Sequence, residues 1–350
     1  MAYGSALVDT ITSSGNLTVS GNVVPSGGFY ASNTPGRNRF INGGTNIDQR
    51  NNGASQTITA AAALAYTVDR WYAYCTGANV TGQRVANTGT TTAPSQYAYQ
   101  FTGAASVTAI GFAQRIEAVN CFDLAGTTAT LSVNMSNSLL TTVTWTAYYA
   151  NTTDTFGTLA SPTKTQIATG TFTVSSSMTR YSTQISVPSA ATTGIEIVFS
   201  VGAQTSGTWV IGNAQIEAGS MMSVFERRLV GQELSLCQRY CYALVPVGGS
   251  NYFLAPGVFN GASTGFIGFN TPQILRTVPS LNPTPTAANY QVYIPNGGAY
   301  QTLSSISLNV VTTANFILVN FGIASGGTAG QVCYLSAPST SVPIIFSAEL

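Results

Sequence analysis

Apolar and polar residues alternate along short segments of this chain, and turns rich in Gly, Asn, Ser and Pro separate the segments. In one of them, Ile195, Ile197 and Phe199 alternate with Glu196 and Val198. Every second residue of a β-strand points to the same face, so this pattern predicts strands with a buried face. The segments recur at intervals of about ten to twenty residues, which is typical of a β-sandwich or jelly roll. We therefore predict an all-β fold.

One segment has a helical period instead. Leu234, Cys237, Cys241 and Leu244 recur at steps of three and four residues, so they would share one face of a helix. We predict a short linking helix at 229–244, where one β domain ends and a second begins. The alternative is a lone packing helix whose charged residues form a satisfied ion network.

These patterns divide the chain into an N-terminal extended arm or stem at 1–36, an antiparallel β domain at 37–228, the linking helix at 229–244 and a C-terminal β-sandwich at 245–350. The arm contains a short repeat, SGNLTV followed by SGNVVP, with Gly-Asn turns between apolar residues. Because it has too little apolar surface to fold alone, we expect it to form an attachment arm or a trimeric stem. A disordered tail is the alternative.

The C-terminal part is apolar on two sides. Phe316 and Leu318 alternate with Ile317 and Val319, so a strand here presents apolar residues to both faces of its sheet. A small β domain with two apolar faces usually has a partner on one of them. We expect this domain to pack against sister copies of the chain.

Charged residues are scarce. They make up 7% of the chain, with no His and a net charge of +1, whereas about a quarter of a soluble chain is usually charged. Without a basic surface, nucleic-acid binding has no electrostatic support. A surface with so little net charge tends to associate, which favours a subunit of an assembly over a free monomer.

Neither a signal peptide nor a membrane-spanning segment is expected. Met1 is followed by no basic region and no continuous apolar run. The long uncharged stretch after Arg276 is interrupted throughout by Pro, Gly, Asn and Ser. We therefore do not expect insertion into a membrane.

The few acidic residues do not predict catalysis. Cleavage of polysaccharides needs two carboxyl groups about 5–10 Å apart. Most acids here have Arg nearby, as Asp69 beside Arg70 and Glu226 beside Arg227, which indicates ion pairs. The sequence has no His, which excludes Ser-His and Cys-His nucleophiles, and its Gly-rich stretches lead into strands and not into nucleotide-binding helices. We predict neither enzymatic activity nor a cofactor.

The five cysteines are odd in number and scattered, which predicts buried free thiols and not a disulfide framework. Cys237 and Cys241 lie four residues apart on the predicted helix. No His or further Cys pair completes a tetrahedral zinc site around them, so no bound zinc is expected.

Aromatic side chains are the candidates for contact with a glycan, because an exposed ring can stack on a sugar while polar neighbours bind its hydroxyl groups. Several lie at alternate positions along a strand, so core or interface packing is the alternative for each of them. The jelly-roll candidates are Trp71, Tyr72, Tyr74, Tyr97, Tyr99, Trp145, Tyr148 and Tyr149, with Trp71, Tyr72, Tyr97, Trp145 and Tyr148 foremost. A second set in the C-terminal part comprises Tyr252, Phe253, Tyr290, Tyr293 and Tyr300.

Three strings of the sequence resemble a module of tailed-bacteriophage structural proteins, namely tail fibres and minor virion proteins. They are RNRFINGGTNIDQR at 37–50, QIEAGS followed by FERR at 215–228, and GQELSLCQRY at 231–240. The resemblance implies a jelly roll like that of carbohydrate-binding modules. Jelly rolls of this kind often carry a calcium ion, and Asp48, Asp123 or Glu217 with loop carbonyls are its candidate ligands here. It also implies a junction with a second domain, formed by Phe225, Glu226, Arg227, Arg228, Glu233, Cys237, Arg239 and Tyr240.

The resemblance and the scarcity of charge favour a non-enzymatic structural protein of a bacteriophage virion, assembled in the host cytoplasm. We expect a homotrimeric tail fibre or appendage for host attachment, whose arm binds other virion proteins and whose β domains contact a host-surface glycan. A capsid decoration, cement or head-fibre protein is the alternative. A polysaccharide-degrading tail spike is the third hypothesis.

Overall fold

The computed structural model describes residues 36–60, 64–87, 95–246, 251–338 and 343–350. They belong to one unit, Pro35–Leu350. The predicted arm lies outside the described residues except for Gly36. Within the described ranges, no helix is long and apolar enough to cross a membrane.

The N-terminal part forms two antiparallel sheets of six strands each. Its strands in chain order are β1 (Gln56–Ile58), β2 (Ala65–Tyr66), β3 (Tyr72–Thr76), β4 (Val80–Ala86), β5 (Tyr97–Thr102), β6 (Ala109–Ile116), β7 (Thr128–Asn137), β8 (Thr142–Ala150), β9 (Lys164–Thr173), β10 (Thr179–Ser186), β11 (Ile195–Val201) and β12 (Thr208–Ala218). The first sheet has the order β1-β4-β5-β12-β7-β10, and the second has the order β2-β3-β6-β11-β8-β9. Strands distant in the sequence are neighbours in both sheets, as in a jelly roll.

The two sheets enclose one apolar core. Successive side chains of a strand point to opposite faces, so each strand contributes every second residue to it. Ile195 and Phe199, which the alternation marks, are completely buried there. The ring of Phe112 stacks on Trp71 at 4.7 Å between ring centroids. The all-β sandwich predicted from the alternation is thereby confirmed.

The α-helix that follows, α1 (Val230–Gln238), is shorter than predicted. The chain turns after it, with the amide of Tyr240 donating to the carbonyl of Cys237 at 2.9 Å. The next residues form a strand, β13 (Cys241–Leu244), that pairs with the last strand of the chain. Cys237 and Cys241 are both completely buried, so the apolar period runs through a helix and a strand in succession.

The C-terminal part is a second sandwich with a core of its own. Its further strands are β14 (Tyr252–Phe259), β15 (Thr264–Asn270), β16 (Ser280–Leu281), β17 (Gln291–Ile294), β18 (Ala299–Thr302), β19 (Ser305–Leu308), β20 (Phe316–Gly322), β21 (Val332–Ala337) and β22 (Ile344–Ser347). They form a seven-stranded sheet of order β18-β17-β21-β14-β15-β20-β19 and a three-stranded sheet of order β13-β22-β16.

The end of the chain returns to the first sandwich. The carboxylate of Glu349 pairs with the guanidinium of Arg70. The carbonyl oxygen of Leu350 accepts hydrogen bonds from Nη1 of Arg115 at 2.7 Å and from the hydroxyl of Tyr66 at 2.9 Å. Buried polar contacts thus join the two sandwiches in addition to α1.

Arg70 lies at the centre of this junction. Its backbone has a φ of +72°, in the left-handed region that only a constrained non-glycine residue adopts. Its guanidinium lies 3.6 Å from the ring centroid of Tyr240 and donates to the carbonyl of Arg115 at 2.6 Å. Burial lowers the pKa of Arg70, but the charge of Glu349 and smaller contributions from Tyr240, Tyr66 and Cys237 together outweigh burial, so the pKa is raised. The guanidinium is therefore charged although it is buried.

The FERR string and α1 hold the first residues of the jelly roll. Glu226 accepts the amide of Asn38 at 2.7 Å. Glu233 of α1 accepts the amide of Asn42 and a hydrogen bond from Nη1 of Arg228 at 3.3 Å. These residues lie about 190 positions apart in the sequence, with separations of 188 and 191 between the hydrogen-bonded partners, so the start and end of the first sandwich are held side by side.

The residues after α1 bind the middle of the jelly roll. Arg239 donates from Nη2 to Glu117 at 2.9 Å, and the hydroxyl of Tyr240 donates to the same carboxylate at 2.7 Å. Burial raises the pKa of Glu117, but these hydrogen bonds outweigh it and the pKa is lowered. Phe225 is buried, whereas Arg227 is exposed. Arg227 is therefore the one of the predicted junction residues that points to solvent.

Candidate glycan-binding face

The outer face of the second six-stranded sheet carries a patch of aromatic and charged side chains, which we call the tyrosine face. Its residues alternate with core residues such as Ala73 and Cys75, so they point away from the core. It consists of Tyr66, Tyr72, Tyr74, Gly111, Ala113, Arg115, Tyr148, Lys164, Glu196 and Val198.

The ring of Tyr74 lies against Gly111, its partner on the neighbouring strand. A Cβ at position 111 would lie 2.2 Å from the ring atoms Cε1 and Cζ of Tyr74, so only Gly lets the ring approach the sheet this closely. Tyr74 is nevertheless partly exposed. Part of the ring is therefore covered by the sheet, and its exposed part is available for stacking on a sugar.

Glu196 is completely buried beneath the tyrosine face. It accepts hydrogen bonds from Nε of Arg115 and from the hydroxyl of Tyr72, each at 2.7 Å. It also pairs with Lys164, whose ammonium lies 4.3 Å from the ring centroid of Tyr148. Because both carboxylate oxygens are occupied, the cluster holds these side chains in fixed positions.

The tyrosine hydroxyls on this face are protonated at neutral pH. Burial raises the pKa of Tyr72 well above its usual value, and the charge of Glu196 raises it further. Burial is also the main cause of the raised pKa of Tyr74 and of Tyr148. Each of these hydroxyls can therefore donate a hydrogen bond.

Small hydroxyl side chains extend the face beyond the tyrosines. Thr144 and Thr146 of β8 and Ser200 of β11 are partly exposed. Thr144 lies opposite Ser200 in the register of the two strands. The face thus combines a few rings with small polar groups, which is the composition of sites that bind polar ligands.

The foremost aromatic candidates separate into core and surface. Trp71 and Trp145 are 0% and 5% exposed, because both occupy inward positions of the sandwich. Sugar contact is therefore wrong for these two, and the core alternative is right. Tyr72 lies on the tyrosine face but is completely buried there, with its hydroxyl bonded to Glu196. Tyr148 lies on the tyrosine face, and Tyr97 is partly exposed on the other sheet.

Gly111 and Lys164 were not among the predicted site residues. A Gly inside a strand often marks the close approach of another group, and Gly111 fits that signal. Lys164 is the only lysine of a chain with few charges, and its rarity was a usable signal for a special position.

Each acidic residue in the described part of the chain has a hydrogen-bond or ion-pair partner. The buried carboxylate of Asp69 accepts the amide of Gln49 at 2.9 Å, and burial raises the pKa of Asp69 to about 6. On the tyrosine face itself Glu196 is the one acid, whereas glycoside hydrolysis uses two. The partnered acids are Asp48, Asp69, Glu117, Asp123, Asp154, Glu196, Glu217, Glu226, Glu233 and Glu349.

The candidate calcium ligands bind protein groups. Asp48 accepts the amide of Gly53 at 2.7 Å, Asp123 pairs with Arg39, and Glu217 accepts a backbone amide at 2.9 Å. Among the residues that the structure describes, no three His, Cys, Asp or Glu side chains are placed to hold a metal ion. All five cysteines are buried free thiols, as their number and spacing predict.

A cleft of about 620 Å³ opens beside the tyrosine face, between the two sandwiches. Arg50 and Tyr66 line one side, and Asn282 and Tyr290 line the other. Tyr66 also contacts the ring of Tyr72 edge-on at 6.0 Å. The cleft therefore continues from the edge of the tyrosine face.

No protein-family model and no curated protein matches the chain. The enzymatically active domain of tailspike protein 4 of bacteriophage CBA120 is 19% identical with a TM-score of 0.31, and the match covers 43% of this chain and 19%, about a fifth, of the tailspike chain. TmCBM61 in complex with β-1,4-galactotriose is 12% identical with a TM-score of 0.33, and the match covers 52% of this chain and 99% of that module. The family 11 carbohydrate-binding module of a Clostridium thermocellum cellulase is 11% identical with a TM-score of 0.29, and the match covers 49% of this chain and 98% of that module. Similarities this low carry no argument about function.

Proposed function

We propose that this protein is a non-enzymatic structural subunit of a bacteriophage virion that binds a host-surface glycan on its tyrosine face. The observation that carries the glycan site is the ring of Tyr74, which is packed against Gly111 and is still partly exposed. An exposed ring that a sheet holds in place offers a surface to the C–H groups of a sugar. The neighbouring hydroxyl and charged groups then fix the orientation of the sugar.

The charges on the face indicate which glycans it takes. Arg115 and Lys164 are two cations and Glu196 is one anion, which leaves a single positive charge. The side chain of Lys164 is 13% exposed, so it can donate to a hydroxyl or carboxylate of a ligand. The face therefore suits a neutral or acidic glycan.

The same residues favour binding without turnover. Glu196 is completely buried and both of its oxygens are occupied, so it cannot reach a glycosidic bond as a general acid. The chain has no His to act as a base. A second acid, which hydrolysis requires, is not among the residues of the tyrosine face.

The virion assignment is supported by the three strings that resemble phage structural proteins and by the net charge of +1. A nearly neutral surface favours association. We propose a homotrimeric tail fibre or appendage, attached to other virion proteins through the arm at 1–36. Labelling of particles with a specific antibody separates this location from a capsid decoration or cement protein, which would be labelled on the head.

Glycan binding by the full chain and three variants tests the site. Tyr74→Ala and Tyr148→Ala remove rings from the tyrosine face, and Tyr97→Ala removes a partly exposed ring from the other sheet as a matched control. An array of neutral and acidic bacterial oligosaccharides identifies a ligand, and calorimetric titration then measures its affinity for each variant.

We expect both face variants to bind at least about tenfold more weakly, a loss of about 1.4 kcal/mol. Tyr97→Ala is expected to bind as the wild type does. Unchanged binding by Tyr74→Ala, no ligand on the array, or release of shortened oligosaccharides would contradict the proposal.

A further inference from the structure

The outer face of the seven-stranded sheet carries four aromatic rings in contact, which we call the ring stack. They are Tyr300 of β18, Tyr293 of β17, Tyr334 of β21 and Phe253 of β14. The centroid of Tyr293 lies 4.9 Å from that of Tyr300 and 5.2 Å from that of Phe253, and Phe253 lies 5.0 Å from Tyr334. Phe253 is 51% exposed and Tyr300 is 39% exposed, so the rings cross four adjacent strands at the surface.

Aliphatic residues continue this surface. Val258 and Val332 are directly paired on β14 and β21 and are 38% and 52% exposed. Phe316 of β20 is 38% exposed. The two charged residues of the C-terminal sandwich lie elsewhere, since Arg276 donates to the carbonyl of Ala348 and Glu349 pairs within the junction. The outer face of this sheet is therefore uncharged over its described residues, and it is apolar around the ring stack and these valines.

The geometry of the rings argues against a second sugar site. Phe253 is stacked between Tyr293 and Tyr334, with interplanar angles of 29° and 23°. These two contacts cover part of the surface that Phe253 would offer to a sugar. The contacting rings and the valine side chains form an apolar surface that matches another apolar protein surface.

We infer that a second copy of this chain packs on the ring stack and the valines beside it. When the same face of two copies packs together, a charged group can lie opposite the same group of the other copy, and the two repel each other. A face without charged groups avoids this repulsion and therefore suits self-association. The cores of protein interfaces are depleted of charge and enriched in Tyr and Phe, as this face is. The net charge of +1 adds little long-range repulsion between copies. The inference rests on the proposed role as a virion subunit, but not on glycan binding.

Sedimentation of the full chain tests the inference. The wild type is expected to sediment as a multiple of the 36.3 kDa chain. Val332→Glu and Phe253→Glu place a charge on exposed positions of the face, and each is expected to weaken self-association at least about tenfold. Val310→Glu adds the same charge at a loop position that is 98% exposed in the same sandwich, and it is expected to leave self-association unchanged.

A labelling experiment keeps the test independent of folding. All five native cysteines are buried, so Val332→Cys and Val310→Cys each introduce one accessible thiol. In the concentrated assembly, maleimide is expected to react with the thiol at position 332 at least about tenfold more slowly than with that at position 310, and dilution to monomer should reduce this difference severalfold.

A monomeric wild type, or equal reaction rates in the assembly, overturns the inference. Glycan binding is measured with variants of the tyrosine face. Neither of these two results would therefore contradict the proposed glycan site.

Discussion

Replacement of Glu349 by Gln measures how much the buried charge at the junction contributes to stability. The side chain of Glu349 is 4% exposed and that of its partner Arg70 is 1% exposed. Glu349 also pairs with Arg50 at 3.3 Å. Glu349→Gln keeps the size of the side chain but removes its charge, so two buried guanidinium groups lose their ion-pair partner.

Loss of one partner from a buried ion pair costs about 3–5 kcal/mol, because the remaining charge stays out of water. Arg70 keeps its hydrogen bond to the carbonyl of Arg115 and its contact with the ring of Tyr240. We therefore expect the lower end of this range, about 3 kcal/mol. At about 2 °C for each kcal/mol in a large unit, the melting temperature should fall by about 6 °C.

Thermal and urea unfolding of the variant at neutral pH provides the measurement. Asp123→Asn is the matched control, since it removes the pair between Asp123 and Arg39, whose side chains are 41% and 25% exposed. An exposed pair contributes less than about 1 kcal/mol. Equal destabilisation by Glu349→Gln and Asp123→Asn would refute the reasoning that the junction charge is buried and paired.

Three further expectations concern pH, the tyrosine face and the thiols. Burial raises the pKa of Asp69 to about 6 in the folded protein, above about 3.9 in an unfolded chain. The stability that this group contributes is therefore present at low pH and is lost as the pH rises through about 6. Urea unfolding should show about 1 kcal/mol less stability at pH 7 than at pH 5 from this group, and Asp69→Asn should remove that difference. Gly111→Ala should displace the ring of Tyr74 and weaken glycan binding as Tyr74→Ala does, whereas Gly231→Ala, with no neighbouring atom within 4 Å, should leave binding unchanged. Burial raises the pKa of all five thiols, so a thiol-specific dye should label none in the folded protein at about pH 8 and all of them in urea.

The apolar alternation predicted the fold because it records which side of each strand is buried. Ile195, Ile197 and Phe199 are in the core as the alternation requires. The same pattern could not separate α1 from β13, because Cys237 of α1 and Cys241 of β13 are both buried. A turn between them leaves the apolar spacing intact while it changes the secondary structure.

Ion pairs were predictable as a class but not by partner. Asp69 is next to Arg70 in the sequence, yet its carboxylate binds Gln49, and Arg70 pairs with Glu349 at a separation of 279 positions. Both residues lie in a turn, where Arg70 has a φ of +72°, so being adjacent in the sequence does not make their side chains meet. Sequence neighbours are therefore poor guides to ion pairs in a β protein.

The tyrosine face depends on which strands are neighbours. Tyr74 and Gly111 come together only because β3 pairs with β6 in one register. Alternation within each strand shows which residues share a side of it, but it does not specify the neighbouring strand. The aromatic candidates could thus be named from the sequence, while the ring that rests on a glycine could not be chosen among them.

The most direct test of the central claim is a crystal structure of the full chain with the oligosaccharide that binds it best on the array. We predict an intact oligosaccharide with one sugar ring parallel to the ring of Tyr74 and a polar contact to Lys164 or Tyr148. An oligosaccharide bound away from the tyrosine face, or one cleaved at a glycosidic bond, would contradict the account.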